Sequence, residues 1–356
     1  MGRAHQRAGV CRTEWLRDYT GGRQARGGAM SYTASRNARS RRSHVPEMTS
    51  MERVLAAVSG ERADRVPYCV WHHFRPRGNP TSLARDTLDF FSQYGCDIFK
   101  IMPDIPYPFP DGGIRTVDDW GLISELDISA GNLARMLRTV GIVRDALGGD
   151  APVLLTVFSP FAYAMRFAGH DRLGEHLHTA PIQLHAALDV IADNLAEYCS
   201  AALLEGADGI SLSVQGAGDG VTTATEYAEF ARPYELRVLR ACQAGWLTTL
   251  HVHASADLDL DPFLAYPTPV LSWSDRLTGI SLADVRKKDP TRCLMGGISG
   301  RGPILSGTPA ELLTEMRDAV RQTGGSRLIL ANGCSVPDDI ADARLRLARA
   351  QADLLN

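Results

Sequence analysis

Short runs of apolar and β-branched residues alternate with longer amphipathic stretches through residues 50–356. The runs predict strands over Val66–Trp71, Asp97–Pro103, Pro152–Phe158 and Asp208–Val214, then over Trp246–His253, Pro267–Trp273, Cys293–Ile298 and Arg327–Gly333. Between most of them the pattern turns helical. IQLHAALDVIADNLAEYCSAALLEG spaces its apolar residues three and four apart and ends at a glycine. TPAELLTEMRDAVRQTGG opens on Thr308 as N-cap with Glu311 three residues on, and stops at Gly324. Strand and helix in alternation imply parallel pairing. Eight such units predict an α/β fold, a (β/α)8 TIM-type barrel forming a single domain over residues 48–356. A doubly wound open sheet is the alternative, but no GxGxxG follows the first strand to support it.

Residues 1–47 break this pattern. They are rich in Arg, Gly and Ser and nearly free of apolar periodicity, so they are expected to form a disordered basic tail or a non-native extension ahead of Met48. Glu14, Asp18 and the interrupting glycines do not suit an amphipathic transit peptide. The chain as a whole is 44% hydrophobic and 22% charged, ample for a large core without a metal or disulfide staple. A net charge of -3 argues against nucleic acid as a partner. No apolar window is long enough for a membrane span. Seven cysteines without CxxC pairing argue against a secreted disulfide framework, and a cytoplasmic location is expected. Cys11, Cys69, Cys96, Cys199, Cys242 and Cys293 belong to no motif and read as structural.

Active sites of TIM-type barrels lie at the C-terminal strand ends, and here those ends are unusually polar. They carry Trp71-His72-His73, Asp104, Ser159, Gln215, His251 and His253, Ser272 to Asp275, Gly296-Gly297 and Cys334. In LHVHAS, His251 and His253 stand at i and i+2 and so share one strand face. With Cys334 from ANGCSVPDD they form a three-ligand set suited to zinc, the thiolate disfavouring harder cations and a fourth position staying open. HxH on a strand also arises by chance, and a lone cysteine is more often a small buried hydrophobe. Asp104 and His72 are the catalytic candidates. Since adjacent strand residues face opposite sides, only one of His72 and His73 can line the rim. Trp71, His73, Ser159, Gln215, Trp273 and Asp275 are the substrate-binding candidates, with Ser213 beside them. Gly296 and Gly297 suit either close approach of a ligand or a tight turn.

ERADRVPYCVWHHF, YGCDIFKIMPDIPY, TVFSPFAYAMRFAG, EGADGISLSVQGAG, LTTLHVHAS, CLMGGIS and LILANGCSVPDD carry a resemblance. Across most of residues 48–356 the chain resembles the uroporphyrinogen decarboxylase superfamily, whose members are (β/α)8 barrels and include zinc-dependent methyltransferases acting on thiols and corrinoids. Tetrapyrrole decarboxylases share an arginine-bearing PVWxMRQAGR motif after the first strand. VPYCVWHHFRPRG departs from it, with His72 where the first arginine falls and Arg75 and Arg77 as loose replacements. Asp104 matches the decarboxylase aspartate, and Cys334 stands where the decarboxylases carry a histidine near the eighth strand. The methyltransferase branch is similar at HxC and a distant GCGxxP: His251 matches its histidine, His253 replaces the first cysteine and Cys334 matches the second.

The resemblance therefore implies zinc-dependent methyl transfer, with zinc on His251, His253 and Cys334 and a thiol acceptor whose pKa of about 8.5 the metal would lower. A corrinoid is implied as substrate or methyl donor, with a corrinoid protein as partner. Two other readings stay open: a cofactor-free decarboxylase of a tetrapyrrole or smaller acid, and a non-catalytic corrinoid- or partner-binding subunit. The oligomeric state is left open.

Overall fold

The computed structural model describes residues 47–74, 78–218, 220–253 and 257–355. The basic tail expected over residues 1–47 lies, apart from Glu47, outside the described residues, as do Arg75 and Arg77. All eight expected strands form within their predicted bounds: β1 (Tyr68–Cys69), β2 (Phe99–Ile101), β3 (Val153–Phe158), β4 (Gly209–Val214), β5 (Thr249–Val252), β6 (Val270–Trp273), β7 (Cys293–Ile298) and β8 (Leu328–Asn332). The trimmed ends have local causes. Pro67, before β1, has no N–H to give a ladder, and Pro103 ends the run after β2.

The strands pair in parallel in the order β1-β8-β7-β6-β5-β4-β3-β2, so the first strand lies beside the last and the sheet curls, as in a TIM-type α/β fold. Between β1 and β2 the described residues show no ladder. Asp97 spans that seam instead: its N–H donates to the Tyr68 carbonyl at 2.7 Å and its carboxylate accepts from the Tyr68 N–H at 2.8 Å. The same buried carboxylate takes Arg53 Nη1 at 2.7 Å, Arg65 Nη1 at 2.6 Å and the Ser50 hydroxyl at 2.9 Å. Two guanidinium groups share this carboxylate, and Arg53 ties the helix Ser50–Ser59 to the seam, at the strand end away from the candidate site.

Strand parity decides which residues reach the inner face. Thr156, Phe158, Ser211, Ser213, Thr249, His251 and Ser272 share one parity in register and line the inner cavity. The residues between them, among them Leu155, Val157, Leu212, Leu250, Val252 and Trp273, are fully buried on the opposite face. With both faces covered, the strands read as near-continuous apolar runs broken by small polar residues.

Two helices matter for the site. Following β3, helix α1 (Pro160–Ala168) is capped by the Ser159 hydroxyl, which accepts from the Ala162 N–H, and starts with Pro160 in its first turn. Helix α2 (Pro309–Thr323) packs on β7 with the expected Thr308–Glu311 capping box and a left-handed Gly324 at its end. Gly297 is the close-approach point: at φ +100° a Cβ there would lie 2.5 Å from the Ala319 methyl of α2. No described helix is long and apolar enough to cross a membrane.

Candidate active site

Ladder register places Phe158, Ser213, His251 and Ser272 side by side on four neighbouring strands. His251 therefore faces the cavity near the end of β5, and its Nδ1 lies 3.3 Å from the Ser272 hydroxyl. His253 follows on the same face, its N–H extending the ladder to the Val214 carbonyl at 3.0 Å. Cys334 comes from the turn after β8. Buried Asn332 shapes that turn: its side-chain amide donates to the Cys334 carbonyl at 2.7 Å and the Trp71 carbonyl at 3.1 Å, and its Oδ1 accepts from the Trp71 N–H at 3.1 Å.

The ligand atoms of His251, His253 and Cys334 all lie within 4.8 Å of one another, with Cys334 Sγ 3.5 Å from His253 Nδ1. Their protonation suits a cation. Burial alone pushes the Cys334 thiol up, but hydrogen bonds and charge from His251 and His253 outweigh it and bring it down to about 4. Burial lowers the His251 imidazole against the upward pull of Cys334. A thiolate and a neutral imidazole are the forms that ligate, so the donor set fits a thiophilic divalent ion such as zinc.

A cavity of about 220 Å³ opens beside this cluster, lined on other sides by Trp71, His73 and the β2 and β3 wall. Of the adjacent histidines it is His73 that lines the cavity. Its Nδ1 lies 2.7 Å from Asp104 Oδ1, while Asp104 Oδ2 accepts from the Phe74 N–H at 2.7 Å. Asp104 is buried behind His73. His72, the expected catalytic histidine, is outside the cavity lining. Its ring packs 4.6 Å from Phe90 and 4.8 Å from Phe74, and burial lowers its pKa.

Trp71 and Gln215 line the cavity as expected, and Ser213 with them. Three other substrate-binding candidates have structural work instead. Ser159 caps α1, and Trp273 faces outward with its indole N–H on the Ile280 carbonyl at 2.9 Å. Asp275 accepts from the Gly297 N–H at 2.9 Å and pairs with Arg276. Gly296 and Gly297 answer to packing rather than to a ligand, since Cβ atoms there would meet Asp275 and Ala319.

Two cations were not anticipated. Lys100, the central residue of β2, is 4% exposed, with its ammonium on the Thr156 hydroxyl at 2.5 Å and 5.0 Å from the Trp71 ring centre. Burial lowers it to about 8 against the upward pull of Cys69, Cys334 and Asp104, so it stays charged at neutral pH. Arg166 leaves α1 with its guanidinium carbon 3.8 Å from the Phe158 ring centre. A lysine amid the apolar run of DIFKIMPDIP was the available signal for the first. Arg166 sits on a helix behind the strand end and left no comparable trace.

A family model described as uroporphyrinogen decarboxylase (URO-D) matches residues 83–347. Methylcobamide:CoM methyltransferase MtbA of Methanosarcina mazei is 22% identical over 243 residues, 65% of this chain and 67% of that protein. A uroporphyrinogen decarboxylase of Acinetobacter baumannii is 28% identical over 136 residues, 36% of this chain and 37% of its own length. The chain thus spans little more than a third of that decarboxylase. Among solved structures, a methyltransferase from Methanosarcina mazei superposes with a TM-score of 0.72 at 19% identity, covering 86% of this chain and 99% of its own.

Proposed function

The chain belongs to the uroporphyrinogen decarboxylase family, and from that premise we propose that it is a zinc-dependent methyltransferase. It would pass a methyl group from a corrinoid, carried by a partner protein, to a small thiol. The observation that carries this reading is the convergence of His251, His253 and Cys334, whose ligand atoms lie within 4.8 Å of one another. Bound on those three residues, zinc would acidify an acceptor thiol so that the thiolate predominates at neutral pH. In this reading the strands close into a full ring across the β1–β2 seam, supported by the Asp97–Tyr68 bonds, and residues from Met48 onward act as one unit.

The chain's own groups divide the remaining work. Ser272 occupies His251 Nδ1 and leaves Nε2 free as donor. Asp104 holds His73 Nδ1 and fixes the ring, so that His73 Nε2 faces the cavity and takes the acceptor's proton. Asn332 fixes the Cys334 turn. The acceptor sulfur then forms a bond to the methyl carbon, and the donor keeps the electron pair of the bond that breaks. Trp71, Ser213 and Gln215 orient the acceptor from the cavity wall.

Decarboxylation of a tetrapyrrole is the weaker reading. A cavity of about 220 Å³ is about one and a half times one that takes a benzene, far short of an octacarboxylate tetrapyrrole. Elemental analysis and turnover test the proposal. The protein purified without chelators is expected to hold about one zinc per chain and to methylate a thiol at the expense of methylcobalamin. Cys334→Ser should lose both. A metal-free wild type that releases CO₂ from uroporphyrinogen would overturn the assignment, and a protein that turns over neither would point to a binding subunit.

A further inference from the structure

Basic residues in this chain are almost all arginine: 35 of the 38, with lysine at only three positions. Two of those lysines, Lys287 and Lys288, are exposed in the helix Leu282–Lys288 and pair with Asp284 and Asp261. The third is Lys100, buried on β2 with its side chain lining the cavity. Arg166 lines the same cavity, so a guanidinium can serve there where positive charge is all that is needed. What an amine adds is the ability to lose its proton and attack, which a permanently charged guanidinium cannot do.

The setting of Lys100 favours the free amine. Its Nζ lies 2.5 Å from the Thr156 hydroxyl, 3.7 Å from the Met102 sulfur and 5.0 Å from the centre of the Trp71 ring, and no carboxylate pairs with it among the described residues. Asp104, which attracts it through space, is bound instead by His73 and the Phe74 N–H. An ammonium buried without a counter-charge gives up its proton more easily, and Lys100 is brought down from 10.5 to about 8. Lysines desolvated in this way are nucleophiles towards carbonyl carbon. The groups that would hold zinc and take a thiol proton leave Lys100 without a task.

We infer that Lys100 forms an imine with the carbonyl group of a small aldehyde or ketone bound in the cavity. The Nζ lone pair attacks the carbonyl carbon and forms the C–N bond, while the C=O electron pair moves to oxygen, which takes a proton. That hydroxyl takes a second proton and leaves as water as the C=N bond forms, so an ammonium and a carbonyl compound give an iminium and one water. The Thr156 hydroxyl beside Nζ and His73 on the same cavity carry protons between nitrogen and oxygen. Trp71, Met102 and Met295 line the cavity with apolar surface that limits the return of water to the C=N bond. A volume of about 220 Å³ suits a carbonyl compound of a few carbons. The step uses no metal, so it goes beyond methyl transfer and stands or falls separately from it.

Reductive trapping tests this. The full-length protein, as purified, is incubated near neutral pH with acetone and cyanoborohydride, and its lysine-containing peptides are followed by mass spectrometry. The reductant delivers hydride to the imine carbon and so fixes one isopropyl group on the nitrogen. Lys100 should be labelled at least about tenfold faster than Lys287 and Lys288. Labelling in urea should erase that preference, because it depends on the folded cavity. Lys100→Met should take label at the surface amines only, with thermal melting as the check on its fold. The comparison among the three lysines is made within the wild type, so it holds even if the variant does not fold. Absence of label at Lys100, or labelling there no faster than at Lys287 and Lys288, overturns the inference. A Lys100 preference that persists in urea overturns it as well, since the cavity would then have no part in it.

Discussion

Glu235 offers a quantitative test of packing behind the site. It is completely buried, accepts hydrogen bonds from the Tyr227 hydroxyl at 2.8 Å and the Tyr266 hydroxyl at 2.7 Å, and lies by Ser159, the cap of α1. Burial raises its carboxyl from 4.5 to about 7, against the lowering effect of those hydroxyls. Between those pH values the folded chain holds a proton that the unfolded chain has released. The stability due to this group is thus fully present below pH 4.5 and is lost as pH rises to about 7. At about 1.4 kcal/mol per pH unit, the interval amounts to about 3 kcal/mol. Glu235→Gln keeps the shape and the hydrogen-bonding pattern of the protonated acid and removes the titration. Urea unfolding of metal-free wild type and variant across that pH range should show wild type losing about 3 kcal/mol relative to the variant as pH rises. A wild-type minus variant difference that does not change with pH would refute the reasoning.

Three further substitutions probe separate links. Asp97→Asn weakens the double arginine pairing at the β1–β2 seam and should cost about 3 kcal/mol in denaturant melts; a loss under about 1 kcal/mol would mean the network is incidental. Gly297→Ala forces a side chain into a positive-φ position against Ala319 and should cost about 2 kcal/mol or more, read as a lowered melting temperature. Asp104→Asn frees His73 from its carboxylate and should lower kcat by about 10²-fold with little change in stability; wild-type turnover would remove both residues from the chemistry.

The fold was legible because parallel strands buried on both faces leave continuous apolar runs, and because helix caps such as Thr308–Glu311 are local. The convergence of His251, His253 and Cys334 was legible too, since i, i+2 spacing fixes a common face and strand ends share a rim. The errors came from parity and from neighbours distant in sequence. Ser272 and Trp273 sit on opposite faces, and nothing local says that the serine turns inward. His72 and His73 posed the same choice, settled by Phe90 on one side and Asp104 on the other. Ser159 and Asp275 looked like site residues because caps and turn anchors are polar for the same reason that binding groups are. Lys100 was hidden by its setting, for a lysine inside a strand gains its meaning only once the cavity above it is known.

The donor set fixes the charge that a bound ion would present. A divalent ion on one thiolate and two neutral imidazoles would keep one positive charge, whereas two thiolates and one imidazole would leave none. His253→Cys makes that exchange at one corner of the group formed by His251, His253 and Cys334. The variant should therefore retain about one zinc per chain by elemental analysis and release it to a chelator more slowly than wild type. Loss of the metal in His253→Cys, with the fold intact by thermal melting, would mean that position 253 does not ligate it.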